Sequence, residues 1–170
     1  MVLGFKKWCG DLDTGLRLLR AGTDDRAEPS IRFRSLTGLT ELAEALARAG
    51  RAAEGRAFVD AGIEHSDGGW ITPELLRLKG ELLLSQSAPA VAETPEALFR
   101  QALDEARRQE ALSWELRAAT SLARLQREQG GPADAIACLR PIYDRFTEGF
   151  GTADLIAAKH LLDDLDAGRR

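Results

Sequence analysis

The chain has little of what builds a β-sheet. Its 170 residues hold three Val, six Ile and one Tyr, and strands draw on β-branched and aromatic side chains. Ala and Leu, at 27 and 26 residues, lead the helix scale instead, so the expected fold class is all-α. Other scarcities exclude further classes. No apolar run nears the ~20 residues that a membrane helix needs. The opening MVLGFKKWCGD has no long apolar stretch with a small-residue cleavage site, so no secretory signal is read there. Two well-separated cysteines, Cys9 and Cys138, suit a reducing compartment better than a disulfide framework, and a cytoplasmic location is expected. His65 and His160 are the only histidines and lack companions at metal-ligand spacing. Neither a G-x-S-x-G elbow nor a Gly-rich phosphate loop occurs. The expectation is therefore no enzyme, no metal and no cofactor. A formal net charge of −4 argues against direct nucleic-acid binding, which usually needs a basic excess.

What remains is a soluble chain punctuated by Gly and Pro. Leu12, Leu16 and Leu19 recur at helical spacing before Gly22. Apolar stripes predict helices over about 30–49, 52–65, 72–86, 95–109, 113–129, 132–146 and 152–166. Gly50, Ser66-Asp67-Gly68-Gly69, Gly130-Gly131-Pro132 and Gly149-Phe150-Gly151 separate them. Thr72-Pro73 and Thr94-Pro95 read as N-caps followed by Pro at the first helical position. Short connections require neighbouring helices to be antiparallel.

The helices also repeat. Leu39, Leu42, Ala43 and Leu46 precede Gly55, Val59 and Gly62, with small residues where two helices would cross closely and large ones around them. This order resembles the 34-residue tetratricopeptide repeat, with Ala43 at its eighth position. Ala123 takes the same place in a second unit, followed by Ala135, Leu139 and Ile142. Gly80, with Leu76, Leu83, Phe99 and Ala102, forms a unit between them. That unit needs about three extra residues in the loop SAPAVAE and carries Lys79 where an apolar residue is usual. Gly15, Leu19 and Gly22 reproduce the spacing of Gly55, Val59 and Gly62. The implied organisation is a partial N-terminal repeat (1–28), units over 29–68, 69–110 and 111–148, and a capping helix with its tail (149–170). Such an array is a right-handed α-α solenoid, read as a window cut from a longer one. A plain helical bundle of similar periodicity is the alternative.

In a tetratricopeptide array the first helix of each pair lines a concave groove. The corresponding positions are Thr37, Thr40, Glu44, Ala47 and Arg48, then Glu74, Arg77, Glu81, Leu84 and Ser85, then Arg117, Thr120, Arg124, Arg127 and Glu128. Arg77, Glu81, Arg117, Thr120 and Arg124 are the candidate partner-binding set, with the arginines suited to forked bonds to an acidic peptide or a C-terminal carboxylate. The competing expectation is that these are ordinary groove charges, with Arg77 paired to Glu81 and Arg124 to Glu128 at i,i+4 spacing. Trp70, Trp114, Tyr143, Phe146 and Phe150 are expected to pack between repeats.

The segments ELLRLKGELLLSQ (74–86), ALFRQALDEARRQEALSWELRAATSLARL (97–125) and PIYDRFTEGFGTADLIAAKHLLDDL (141–165) carry a further resemblance. They look like the C-terminal tetratricopeptide region of large bacterial regulators. In that family a class III nucleotide cyclase or winged-helix domain comes first and an AAA- or STAND-type ATPase follows. The resemblance covers about residues 70–165 and implies only the repeat region's role, which is protein contact or sensing that regulates attached domains. Alternatives are a sensor for a small effector, which needs a closed and partly apolar cavity, and an oligomerisation element giving a homo-oligomer.

Overall fold

A computed structural model describes Thr14, Arg17, Gly38, Thr40 and residues 42–66, 68–86 and 93–168. From residue 42 onward these form seven helices, and no strand occurs among the described residues. They are α1 (42–48), α2 (Ala52–Ser66), α3 (Thr72–Ser85), α4 (Pro95–Arg108), α5 (Leu112–Glu128), α6 (Pro132–Tyr143) and α7 (Ala153–Ala167). The proposed 1–28 repeat, Thr37, Leu39 and most of SAPAVAE lie outside the described residues.

Three of the turns are copies of one another. After α1, α4 and α5 the chain passes through a left-handed residue: Gly50 (φ 75°), Glu110 (φ 53°) and Gly130 (φ 84°). Each turn closes with the same two bonds. The left-handed residue's N–H reaches the carbonyl three residues back, at 3.0–3.1 Å, and the next N–H reaches five back, at 2.8–2.9 Å. This satisfies carbonyls that a helix end leaves open. Glycine takes that conformation without steric cost, whereas Glu110 carries a Cβ there.

The helix ends refine the sequence reading. Thr94 caps α4, accepting a 3.2 Å bond from the Ala97 N–H. Thr72, expected to cap α3, is instead the first residue of the helix, and Ile71 precedes it without a side-chain cap. The Thr72 hydroxyl is shared with Ser66 Oγ at 2.9 Å. It ties the end of α2 to the start of α3. Helix α6 ends at Tyr143, three residues short of the expected 146: the Asp144 N–H still reaches the Arg140 carbonyl, but the next two N–H groups bond three residues back, to Ile142 and Tyr143, in a tightened last turn.

Each of α2 to α6 packs on the next helix in the chain, and α3 also touches α5 as α5 touches α7. The backbones of α2, α4 and α6 do not approach one another closely. Side-chain pairs give the direction: Glu74 and Glu81 of α3 meet Arg117 and Ser121 of α5, so these helices are parallel. Arg117 and Arg127 of α5 approach Asp154 and Asp164 of α7 in the same sense. The small residues named from the sequence sit at close crossings. Ala43, Ala102, Ala123 and Ala135 are at most 1% exposed. A Cβ on Gly55 would meet Leu82 Cδ2 at 3.1 Å and the Ala43 carbonyl oxygen at 3.4 Å.

Leu155, Leu161, Leu162 and Leu165 of α7 are buried, while Asp163 and Asp164 are exposed. Asp166, expected to face water with them, is half-buried and pairs with Arg140 at 2.5 Å.

Candidate functional site

The five residues of the predicted groove separate into two environments. Arg77 and Thr120 are buried, Arg117 and Glu81 half-buried, and Arg124 exposed. Their chemistry is organised by Glu74, in the first turn of α3 and only 1% exposed. Arg77 holds it with both arms of its guanidinium, Nε to Oε2 at 2.9 Å and Nη2 to Oε1 at 2.8 Å. Arg117, arriving from α5, reaches the same Oε1 at 2.8 Å. Two cations thus meet one buried carboxylate. Glu44 of α1 (3.4 Å from Arg77), Glu81 (3.5 Å from Arg77) and Asp154 of α7 (4.0 Å from Arg117) complete the neutralisation.

Burial alone would push the Arg77 pKa down, but the Glu74 hydrogen bond and the charges of Glu74, Glu81 and Glu44 outweigh it and hold the proton more tightly than usual. Arg117 also lies over the Trp114 ring, 5.6 Å from its centroid, within cation–π range. Trp114 in turn stacks on Trp70 at 6.2 Å.

Arg77 and Arg117, expected to await a partner's carboxylate, therefore already have one within the chain. The Arg77–Glu81 pair expected at i,i+4 spacing is present, but the Arg124–Glu128 pair is not. Thr120 turns inward and donates its hydroxyl to the Leu116 carbonyl at 2.7 Å. Arg124 has no hydrogen bond or ion pair among the described residues. It stands one helical turn beyond Ser121, with exposed Leu84 one turn beyond Glu81 on the neighbouring helix. Arg127, next along the same face, lies 3.7 Å from Asp164.

Sequence reasoning placed Glu74 on the groove but missed its role as the buried anchor. A carboxylate in a first helical turn followed at i+3 by Arg was the available signal. Glu115 was missed too. It is 4% exposed in the first turn of α5 and accepts from Arg107 at 3.0 Å and Arg145 at 2.5 Å. Lys79, the misfit in the repeat pattern, spans Asp60 of α2 (3.0 Å) and Glu93 (2.7 Å). Burial lowers its pKa, but hydrogen bonds to Glu93 and Asp60 raise it further, for a net upward shift.

A surface cleft of about 560 Å³ opens between α4, the α5–α6 turn and α6. Charged and amide side chains line it, among them Glu96, Arg100, Gln126 and Asp134, together with Cys138. Burial raises the Cys138 thiol pKa against the opposing pull of Arg107 and Arg100. The cleft is neither closed nor apolar, as a small-effector site would require.

Among the described residues no group of three or more His, Cys, Asp and Glu side chains is arranged to hold a metal ion. No helix there is long and apolar enough to cross a membrane. No protein-family model, curated protein or solved structure matches the chain.

Proposed function

We propose that the chain is a non-catalytic helical-repeat module of the tetratricopeptide type. It binds a protein or peptide partner on the face formed by α1, α3, α5 and α7, and regulates domains joined to it. One observation carries the reading: among the described helices from Ala52 onward, backbone packing runs only between helices one or two apart in the chain, with α3, α5 and α7 parallel. That is the contact pattern of a stacked array, in which each unit touches only its neighbours. A bundle closing on itself would bring distant helices together. Helix pairs stacked in this way wind into a right-handed superhelix whose first helices line the concave side. The resemblance of residues 70–165 to the repeat region of bacterial multidomain regulators favours attached signalling or transcription domains as what the module controls.

On this reading the contact residues are those still open to a ligand. Arg124 leads, with Glu81, Leu84 and Arg127 beside it. Arg77, Arg117 and Thr120 shape the surface from beneath.

The test compares capture of a partner by three forms of the chain. Arg124→Glu with Arg127→Glu changes the proposed face, while Arg100→Glu changes the opposite one. A partner retained by the native chain and by Arg100→Glu, but lost from the double variant, is the expected result. Equal capture by all three removes this face from the function. Arg117→Glu is unsuitable, because it would place a second carboxylate against buried Glu74.

A further inference from the structure

We propose that the partner on this face is a bipolar peptide segment, with a basic and an acidic side chain about three positions apart in extended chain. The basic one is seated at Glu44 and Glu81, the acidic one at Arg124. The inference rests on the partner-binding reading above, and it replaces the purely acidic ligand that the arginines suggest in the sequence.

Folding decides which charges the face has left to offer. Arg77 and Arg117 make their short bonds, 2.8–2.9 Å, to Glu74. Three more carboxylates surround them at longer range: Glu44 and Glu81 stand 3.4 and 3.5 Å from Arg77, and Asp154 stands 4.0 Å from Arg117. Two cations thus face four carboxylates. With Arg48 counted as well, 4.0 Å from Glu44, the balance stays negative. The surplus lies outward, since the side chains of Glu44, Glu81 and Asp154 are 41%, 38% and 51% exposed and that of Arg77 only 9%. An acidic ligand approaching Arg77 or Arg117 meets these carboxylates first, and like charges brought together repel.

The opposite sign appears on the next helix. Glu44, Glu81 and Arg124 each follow the small residue of a repeat unit, Ala43, Gly80 and Ala123, so they take the same place in α1, α3 and α5. Arg124 is exposed and unpaired among the described residues, and Arg127 near it is held by Asp164 only at 3.7 Å. The row runs negative, negative, positive. Leu84, 41% exposed and one turn beyond Glu81, adds an apolar contact beside it. Axes of packed helices lie ~8–10 Å apart, so about that distance separates the Glu81 and Arg124 places. Three residues of polyproline II chain span roughly 9 Å and return side chains to one side. A base and an acid three positions apart therefore match Glu81 and Arg124 in sign and spacing, which fixes the register of the segment.

Three capped hexapeptides test this by titration into the intact labelled chain, followed through its backbone amide NMR signals. They are Lys-Lys-Pro-Leu-Glu-Glu, Lys-Lys-Pro-Leu-Lys-Lys and Glu-Glu-Pro-Leu-Glu-Glu. The bipolar peptide should shift amides around Glu44, Glu81 and Arg124 together, and bind at least fivefold more tightly than the all-Glu peptide. Glu44→Gln with Glu81→Gln, which keeps an oxygen for the Ser121 hydroxyl, should reduce that preference to twofold or less. Glu44→Gln alone, at the more exposed position, should lower it part of the way. Arg124→Glu should leave the all-Lys peptide as the tightest of the three. All-Glu binding to the native chain as tight as bipolar binding overturns the proposal while leaving the face in place. So does a failure of the bipolar peptide to bind at millimolar concentration when partner capture still depends on Arg124 and Arg127. Shifts confined to α2, α4 and α6 overturn the proposal and the partner-binding reading together.

Discussion

Gly80 of α3 and Phe99 of α4 fit together with no space for a side chain between them. A Cβ on Gly80 would stand 2.5 Å from Phe99 Cε1 and 2.9 Å from Cδ1, well inside van der Waals contact, and the ring is fully buried. Gly80→Ala gains helix propensity of roughly 1 kcal/mol but overpacks a site with no slack, at a cost of about 1–3 kcal/mol. The expected net is destabilisation, read as a lower urea midpoint. Phe99→Leu alone should also destabilise, by leaving a void. Combined with Gly80→Ala it should cost less than the two separate losses summed. An additive pair would show that the ring is not what excludes the methyl group.

The two buried carboxylates should respond differently to removal. Glu74→Ala leaves Arg77 as a buried cation without its main partner, which costs about 3–5 kcal/mol. Glu115→Ala releases Arg107 and Arg145, whose side chains are 54% and 53% exposed and return to water. Its loss should be nearer 1–2 kcal/mol, the scale of hydrogen bonds to a charged group. Chemical denaturation of both variants gives the comparison. Equal losses would mean that partner exposure does not control the cost.

Glu110 occupies the turn position that glycine holds at Gly50 and Gly130. A left-handed residue with a Cβ costs about 1 kcal/mol or more. Part of that is offset by the extra freedom glycine has in the unfolded chain. Glu110→Gly should therefore raise stability by a few tenths to about 1 kcal/mol, seen as a higher melting temperature. Glu110→Val, β-branched at the same φ, should lower it.

Cys138 should be a slow thiol. Burial raises its pKa above the ordinary cysteine value, and the nearby Arg107 and Arg100 do not reverse the shift. At pH 8 the thiolate, which is the reactive form, is then scarcer than in a free cysteine. Iodoacetamide labelling at this residue, located by peptide mapping, should lag a model thiol and accelerate in urea. Labelling in native buffer as fast as the model thiol would contradict the shift.

Helix positions and the all-α class were legible from local rules. Apolar stripes of period 3.6, Gly at turns and Thr94-Pro95 each act through nearest neighbours in the chain, so spacing alone carries the information. The small residues at crossings were legible for the same reason, since Ala43, Gly80 and Ala123 take the same place in successive stretches of the sequence. The charges were not. Arg77, Arg117 and Arg124 are the same residue type at positions that the sequence reading assigned alike to a groove, and nothing local separates them. Packing separates them. The approach of α5 to α3 puts Arg117 on Glu74 from 43 residues away, and seals Arg77 behind it. Arg124, two turns further on, is left in solvent. Which arginine is structural and which is free depends on distances between helices, and those are set by how the small and large side chains of the packed helices close together.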